Sequence, residues 1–591
     1  MRYRDRADIA AFAATPLDRR LDGQDLIARI LGLDPAGPAL HYLANGRDGA
    51  VAITRGELTS AAGGIGARLA AAGIGRTDIV AMLLPNGPGT AAAALGTLAQ
   101  AVLAPINLYL DAGQVLTLVA ESHARAILLP ADPPPAVQAM LAQVRERLDP
   151  AVTVIEVACG ALPAERGLLA PRGLDEQVAM FHTGGTTGLP KFVPLTARHL
   201  AAGGVISQFG YGYAPGDRVV CAMPMFHVGG LFACFLFALA AGAEVVMLGM
   251  LGYRGEGVVA HLWTTVRATG ATVLVGPPTV YGQLTPDVPA PALRLLVNGA
   301  AGIPSAIEAR VTAATGLALV QPWGQTECTL AVTSGPRDGL RKPGSVGLAL
   351  PYCKVKAVRV DDEGRMTGDC AVDEIGVLAV AGPMVFAGYP GRPAASQPFF
   401  ADGWLDTGDL GRIDEDGHVW VTGRAKELIK RGGHGIDPGM IEHALMAHEA
   451  VALAAAIGKP DAYAGELPVA YVELKPGMDA NGADLIAFAA GRIAERAAIP
   501  KEVVVMPRLP VTPVGKVHKQ QLKLDATHRA ATDTARGMIG RDAALHVAVA
   551  QDHLRGIAVT VRVPAARAEA VRQALSALPF WSSVQTFEEP A

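Results

Sequence analysis

The sequence predicts an α/β fold built on parallel strands with helices on their faces. Short apolar runs rich in Val, Ile and Leu alternate with longer segments of helical periodicity, and this alternation is typical of parallel sheets joined by crossover helices. With 591 residues, the chain is too long for a single hydrophobic core, so we expect two or three domains. Half of the residues are apolar, which is enough to fill several cores.

The alternation is clearest in the N-terminal quarter of the chain. The first predicted helix ends at Gly73, a helix stop signal. The predicted helices span 58–72 and 90–100, and the predicted strands span 78–85, 101–106, 126–129 and 152–155. Pro133, Pro134 and Pro135 predict a stiff, extended loop between the last two strands.

Composition excludes several classes of protein. Charged residues make up 18% of the chain and the formal net charge is −4, so we expect neither nucleic-acid binding nor a polybasic membrane surface. The cysteines show no Cys-x-x-Cys pair and no His partner at zinc spacing, which indicates small buried apolar side chains in a reducing cytoplasm. They are Cys159, Cys221, Cys234, Cys328, Cys353 and Cys370.

One uncharged run is long enough to span a bilayer on length alone. It covers 219–243, and Pro224, Gly229 and Gly230 divide it into a strand, a turn and a buried helix. We therefore expect no membrane span. The N-terminus has no clean apolar segment, so we expect no signal peptide either.

A Gly/Thr-rich stretch dominates the middle of the chain, within 181–194. Thr183, Gly184, Gly185, Thr186, Thr187 and Gly188 leave the backbone free to turn several N–H groups and hydroxyls toward one anion, and Lys191 adds a positive charge. The spacing is not the Walker pattern. Taken alone, the stretch fits a phosphate loop and a surface turn about equally well.

Four further motifs follow in order: Gln-Pro-Trp-Gly-Gln-Thr-Glu at 321–327, Gly-Trp-Leu-Asp-Thr-Gly-Asp at 403–409, Gly-Arg-Ala-Lys-Glu at 423–427 with Gly432 and Gly433 after it, and Pro-Val-Gly-Lys at 513–516. With the Gly/Thr stretch, this series resembles the adenylate-forming superfamily, in particular its fatty-acid–CoA ligase branch, from about residue 49 to about residue 522. The resemblance implies a large adenylation domain at 1–425 and a small mobile α+β domain at 426–526, with a hinge at Lys426.

The resemblance also implies ATP, Mg²⁺ and coenzyme A as cofactor and co-substrates. The Gly/Thr stretch and Lys191 would hold the leaving phosphates. Glu327 and Thr183 would contact the metal, and the hydroxyl of Thr326 would reach the α-phosphate.

The nucleotide would lie against small residues and one aromatic ring. By resemblance, the turn of Gly299, Ala300 and Ala301 contacts adenine, and Trp323 with Gly324 offers a flat face where most members carry Tyr. Asp409 would accept from the ribose hydroxyls with Arg424 on the other side. An isolated Asp in such a turn is otherwise structural.

The acyl group and CoA would meet residues from both domains. Lys516 resembles the adenylation lysine that bridges the acyl carboxylate and the α-phosphate. His227 would lie beside the acyl group, although a lone His is more often a satisfied core residue. Gly432 and Gly433 would face CoA. We assign no base for the thiol, because a thiol is partly ionised at neutral pH.

Beyond residue 527 the resemblance stops. Alternation over 545–549 and 556–563, then one helical face and a last strand over 583–587, predict a small β-β-α-β extension at 527–591. The extension could cover a sheet edge, make a homodimer contact or bind a regulator.

These observations predict an AMP-forming acyl-CoA synthetase. The apolar segment 228–237 favours a medium- or long-chain fatty acid, and hence a role in lipid metabolism. An aryl acid and a carrier-protein acceptor in place of free CoA remain alternatives. A nucleotide-binding regulatory protein without turnover is the alternative from another class, and the presence of Lys516, Glu327, Asp409 and Arg424 together argues against it.

Overall fold

The computed structural model describes residues 2–183, 191–284, 289–361, 363–393, 397–432, 434–493, 495–512, 515–540, 543–552 and 556–587. Within these residues the chain forms mixed α/β structure, as predicted.

The strands, in chain order, are β1 Pro38–Leu43, β2 Val51–Thr54, β3 Ile79–Met82, β4 Val102–Pro105, β5 Ala126–Pro130, β6 Thr153–Val157, β7 Gln177–Thr183, β8 Lys191–Thr196, β9 Arg218–Cys221, β10 Glu244–Leu248, β11 Val273–Gly276, β12 Leu295–Asn298, β13 Leu319–Val320, β14 Thr333–Ser334, β15 Leu348–Ala349, β16 Lys354–Val360, β17 Met366–Asp369, β18 Gly376–Ala381, β19 Leu405–Ile413, β20 Val419–Arg424, β21 Ile429–Arg431, β22 His434–Ile436, β23 Val451–Asp461, β24 Gly465–Leu474, β25 Glu502–Met506, β26 His546–Asp552, β27 Gly556–Pro564 and β28 Trp581–Phe587.

The α-helices are α1 Arg6–Ala13, α2 Leu17–Leu21, α3 Leu26–Leu31, α4 Arg55–Ala71, α5 Pro88–Gln100, α6 Ala112–Glu121, α7 Pro135–Arg147, α8 Ala197–Tyr211, α9 Phe237–Ala240, α10 Val258–Thr269, α11 Pro278–Gln283, α12 Ser305–Thr315, α13 Pro438–Met446, α14 Gly482–Ala490, α15 Lys519–Ile539 and α16 Ala568–Leu575. A π-helical segment, Gly229–Leu236, and short 3-10 helices that include Gly252–Arg254, Thr326–Cys328 and Ala425–Glu427 complete the site region.

Two largely parallel sheets form the large domain. Their strand orders are β6-β5-β3-β4-β7-β8 and β13-β12-β11-β9-β10-β1-β2. Because β12, β11 and β9 are parallel neighbours, their carboxyl ends lie side by side, and the chain that follows them faces one cleft. Ligands of open parallel sheets bind at such carboxyl ends.

A third sheet, with the order β17-β16-β18-β19-β20, adds the other side of the site. In its antiparallel β19–β20 pair, Asp409 lies opposite Arg424. Two of the predicted site residues are therefore brought together by strand register.

The C-terminal segment has its own sheet and its own core. The order is β22-β21-β24-β23, with β25 pairing parallel to β24, and Ile429, Leu445 and Ala470 lie in its core. Helix α15 packs on this unit through Leu522 and continues into the extension, where Ala535 lies in a further core. The predicted boundary at 526/527 thus falls inside a helix, and the three domain limits stay predictions.

The extension forms β26, β27, α16 and β28, in the predicted order, as a three-stranded sheet with β27 central. One expectation was wrong. Pro135 does not extend the proline loop but begins α7, where its missing N–H and fixed φ suit the first helical position.

The uncharged run 219–243 forms β9, the π-helical segment and α9, and most of it is buried in the main core. Among the described residues, no helix is both long enough and apolar enough to cross a membrane.

Candidate active site

Asp409 is the centre of a cluster that contains three of the residues predicted to bind the nucleotide. Its Oδ2 accepts a 2.8 Å hydrogen bond from Trp323 Nε1, and its Oδ1 pairs with Arg424 Nε at 2.8 Å. The side chain of Asp409 is buried, whereas that of Arg424 is half exposed. A buried carboxylate with two such donors is held in one orientation and keeps lone pairs for a further donor, such as a ribose hydroxyl.

The backbone around Asp409 is held by a neighbouring hydroxyl. Thr407 Oγ1 accepts from Asp409 N at 3.1 Å and donates to the Leu378 carbonyl at 2.7 Å. This hydroxyl ties β19 to β18, so the carboxylate of Asp409 is presented from a rigid sheet and not from a free loop.

Glu327 supplies the hard oxygen expected for a metal. It lies in the Thr326–Cys328 helix, which also carries the predicted Thr326, and is buried. Tyr389 donates to Glu327 Oε1 at 2.7 Å, which leaves Oε2 without a partner among the described residues. A carboxylate oxygen with the Thr183 hydroxyl is a donor set that Mg²⁺ accepts, so these residues fit the metal.

Positive charges gather on the other side of Tyr389. Lys191 Nζ lies 4.8 Å from the centre of the Tyr389 ring. Burial, and then the charges of Lys426 and Arg392, lower the pKa of Lys191, whereas Glu327 opposes that shift. Three cations whose charges interact near a carboxylate suit the binding of a polyphosphate with its metal.

The turn after β12 is shaped to approach a flat ligand. Ala300 adopts φ +72°, a strained conformation for a residue with a Cβ, and Asn298 Nδ2 holds the Ala301 carbonyl at 2.7 Å. A Cβ built on Gly299 would meet no atom within 4 Å. The turn therefore leaves open space where the adenine was predicted.

Two neutral histidines flank the cleft. His227 Nδ1 accepts from Gly229 N at 3.1 Å, and His182 Nε2 accepts from Asn107 N at 3.2 Å. Burial is the largest cause of a pKa of about 4 for each imidazole, and for His227 the nearby charge of Lys516 lowers the pKa further.

Lys516 lies in the same cleft although it belongs to the C-terminal segment. Its side chain is accessible to solvent, yet protein surrounds the cleft. That enclosure, followed by the charge of Arg424, lowers the pKa of Lys516, and Asp409 opposes the shift. Lys516 is thus a neighbour of both Asp409 and His227, which joins the two parts of the predicted site.

The loop that carries Lys516 packs closely on the large domain. Gly515 has φ +80°, and a Cβ there would lie 2.8 Å from Thr279 Oγ1 and 3.0 Å from Pro277 Cγ. Arg254 Nη2 donates to the Thr512 carbonyl at 3.2 Å, and its guanidinium stacks over Tyr109 at 4.4 Å. These contacts hold the loop in the position from which Lys516 enters the cleft.

For the remaining predicted residues the structure gives fewer contacts or none. Gly184, Gly185, Thr186, Thr187, Gly188 and Gly433 lie outside the described residues. Gly432 has φ +58° and donates to the Ala464 carbonyl at 2.7 Å, and Gly324 packs so closely that a Cβ would lie 2.0 Å from the Leu330 carbonyl oxygen. Lys426 belongs to the Ala425–Glu427 helix that follows β20.

The sequence did not single out four residues that the structure brings to the site: His182, Arg254, Tyr389 and Arg392. His182 directly precedes Thr183, and Tyr389 is the one aromatic residue in a Gly-Tyr-Pro-Gly stretch, so both had a weak local signal. Arg254 and Arg392 had none, because a lone Arg is normally a solvated surface charge.

The pKa of His227 leads to a testable pH profile. Because a pKa of about 4 lies below the ordinary value of about 6.5, His227 stays neutral throughout pH 5.5–8. We therefore expect the rate of pyrophosphate release to show no inflection from this imidazole in that range. An inflection near pH 6.5 that disappears in His227→Phe would contradict the assignment.

A buried carboxylate paired with an arginine, a group of cations near a second carboxylate and a lysine carried by a small C-terminal unit are the features expected of an adenylate-forming enzyme. Residues 33–390 match the AMP-binding enzyme family, and residues 440–516 match the AMP-binding enzyme C-terminal domain. The chain belongs to the AMP-binding enzyme family, and the prediction of an AMP-forming acid–CoA ligase with ATP and CoA as substrates is confirmed at this level.

Proteins similar to this chain are named for different acid substrates. A marinolic acid–CoA ligase of Pseudoalteromonas sp. strain SANK 73390 is 35% identical over 83% of this chain and 79% of its own. A sulfoacetate–CoA ligase of Cupriavidus necator is 34% identical over 81% of this chain and 93% of its own. A long-chain-fatty-acid–CoA ligase of Bacillus subtilis is 32% identical over 58% of this chain and 61% of its own.

Solved structures agree on the fold. The crystal structure of ATP-bound MatB from Rhodopseudomonas palustris superposes with a TM-score of 0.75 at 28% identity, covering 85% of this chain and 99% of that one. The predicted fold class is confirmed.

Proposed function

We propose that this enzyme joins a medium- or long-chain fatty acid to CoA in two steps, in the cleft between Asp409 and Lys516. The observation that supports it best is the position of Lys516, which is close enough to both Asp409 and His227 for their charges to interact. An ammonium at this place is within electrostatic reach of both the residues proposed to bind the nucleotide and the residue proposed to lie beside the acyl group.

In the first step, a carboxylate oxygen of the acid attacks the α-phosphorus of ATP, and the bond to the leaving pyrophosphate breaks. Asp409, Trp323 and Arg424 orient the nucleoside. Lys516 offsets the repulsion between the two anions that must meet. Lys191, Arg392 and Lys426 hold the leaving phosphates. Glu327 and Thr183 would hold Mg²⁺, which would supply further charge neutralisation when bound.

In the second step, the thiol sulfur of CoA attacks the acyl carbon and AMP leaves with the electron pair of the broken C–O bond. The thiol loses its proton to solvent, because a thiol with a pKa of about 8.5 is a few per cent ionised at neutral pH. Gly432 and Gly433 stay the residues proposed to face CoA.

The fatty acid is the finer part of the proposal. The similarity to the Bacillus subtilis ligase supports it. The apolar segment 228–237 supports it less than the sequence indicated, because Leu231, Phe232 and Phe235 belong to the main core and are apolar for packing reasons. An aryl acid and a carrier-protein acceptor remain the competitors. We also propose a cytoplasmic location and a homodimer, which sedimentation would test.

The test is pyrophosphate release with ATP, Mg²⁺ and a panel of acids, graded in chain length and supplemented with aryl and short dicarboxylic acids, each with and without CoA. Release with fatty acids, and acyl-CoA with AMP only when CoA is present, is the expected result. Pyrophosphate release without acyl transfer to CoA would favour a carrier protein as the acceptor. No pyrophosphate release with any acid of the panel would favour the regulatory alternative.

Arg254 provides a sharper test of the cleft. We expect Arg254→Ala to slow pyrophosphate release about tenfold, because loss of the bond to the Thr512 carbonyl frees the loop that carries Lys516. Conversion of supplied acyl-adenylate to acyl-CoA should remain near the wild-type rate. The control is Arg310→Ala, which removes the backbone contacts of another exposed Arg in the large domain. Equal slowing of both steps by Arg254→Ala would contradict the role of Arg254 in holding the loop that carries Lys516.

A further inference from the structure

Among the residues that the structure describes, none accepts a hydrogen bond from the second ring nitrogen of His182 or His227. Each imidazole accepts from a backbone N–H, at His182 Nε2 from Asn107 and at His227 Nδ1 from Gly229. A backbone N–H can only donate, so the accepting nitrogen carries no proton. The proton of the neutral ring must lie on the other nitrogen, Nδ1 of His182 and Nε2 of His227.

Both of these N–H groups remain available to a ligand. No described residue accepts from them, and neither atom is among the buried polar atoms that are sealed from solvent without a partner. The two rings and Lys516 lie close enough together for their charges to interact. The acyl side of the cleft therefore presents two N–H donors and an ammonium, and its complement is an oxygen that carries negative charge.

We propose that His182 is a second substrate-contacting residue, which donates from Nδ1, alongside His227 Nε2, to the acyl oxygen that does not bond to phosphorus. This inference rests on the proposed function and adds a residue that neither the sequence motifs nor the family assignment provides.

His182 and His227 act in both steps, whereas Lys516 acts in adenylation. In adenylation it orients the carboxylate so that its other oxygen attacks phosphorus. In thioester formation the sulfur–carbon bond forms, the carbonyl electron pair moves onto the oxygen, and that pair returns as the bond to AMP breaks. A donor that strengthens as this oxygen gains charge stabilises the transition state. Both imidazoles belong to the large domain and stay beside the acyl carbon.

His182 also has a structural contact, because it joins β7 to Asn107, the second residue after the neighbouring β4. The two roles use different ring atoms, so two amide variants separate them. The amide of Asn, on Cγ, lies near the position of Nδ1. The amide of Gln, one carbon further out, lies near the position of Nε2. His182→Asn therefore keeps a donor toward the cleft and loses the acceptor for Asn107, and His182→Gln does the reverse.

The experiment measures both half-reactions and the unfolding midpoint for the wild type and both variants, with the acid that performs best in the panel. We expect His182→Gln to lose about 10² in each half-reaction, the effect of removing one oxyanion donor, with its KM for ATP unchanged and its midpoint near that of the wild type. His182→Asn should keep activity within about tenfold of the wild type and unfold earlier, because the Asn107 N–H loses its acceptor.

If His182 contacts the substrate, His182→Gln is the less active and more stable variant, and His182→Asn is the more active and less stable one. If His182→Gln is as active as His182→Asn or more active, the residue only supports the fold and the inference is overturned. A wild type that makes no acyl-adenylate would overturn the proposed function instead, so the two failures are distinct.

Discussion

Lys516→Ala is expected to lower the rate of acyl-adenylate formation by about 10² to 10³, while conversion of supplied acyl-adenylate to acyl-CoA stays near the wild-type rate. The size follows from the loss of one preorganised donor to the reacting anions, which is worth about 3 to 4 kcal/mol. The asymmetry follows because only the first step brings two anions together. Pyrophosphate release and thioester formation, measured separately, test both parts.

The control is Lys523→Ala, which removes a lysine of the same C-terminal unit. Lys523 makes a 3.2 Å ion pair with Glu466, and the side chains are 36% and 16% exposed; a solvent-accessible pair contributes about 0–1 kcal/mol. Both half-reactions should therefore be unchanged in Lys523→Ala. An equal loss of both half-reactions in Lys516→Ala would refute the role of Lys516 as the adenylation lysine and would indicate a general effect on the fold.

The cluster around Asp409 could be predicted from the sequence because its residues lie inside short motifs. Asp409 and Arg424 come from adjacent strands, and the strand register places them opposite each other. Trp323 reaches the same carboxylate from a motif that lies 86 residues earlier. Local sequence supplies the side chains here, and the sheet brings them together.

Other contacts carry no local signal. The pairs Tyr389–Glu327, Asn107–His182 and Arg254–Thr512 are separated by 62, 75 and 258 residues. In each pair at least one partner stands outside the motifs, and in the last two pairs a backbone group is one partner. A backbone N–H or carbonyl is the same for every residue type, so no pattern in the sequence identifies it.

The fatty-acid prediction shows a different limit. The apolar composition of 228–237 favours a fatty-acid substrate, but most of these residues fill the main core. Apolar composition is required by both situations, and only the packing distinguishes them. The same limit applies at residue 527, because the motifs end there while α15 continues without a break.

Asp409→Asn is expected to lower kcat/KM for ATP roughly 10- to 100-fold, mostly through KM. An amide in place of the carboxylate cannot accept from both Trp323 Nε1 and Arg424 Nε and still accept from the ribose. The loss of a hydrogen bond to a charged group contributes about 1.5–3 kcal/mol. Steady-state kinetics with varied ATP at saturating acid test this, and the KM for the acid should change little.

Two variants show which interaction of Asp409 matters. Asp406→Asn changes a carboxylate on the same strand that, among the described residues, accepts a hydrogen bond only from Gly408 N. The amide oxygen of Asn also accepts there, so no change is expected. Trp323→Phe keeps an aromatic face and removes only the N–H donor, so Asp409 stays charged and keeps Arg424. If Trp323→Phe lowers kcat/KM for ATP less than Asp409→Asn does, the hydrogen bond that Asp409 accepts from the nucleotide accounts for the larger part of the effect. If the KM for ATP is unchanged in Asp409→Asn, the carboxylate is a structural partner of Trp323 and Arg424, and the ribose must bind elsewhere in the cleft.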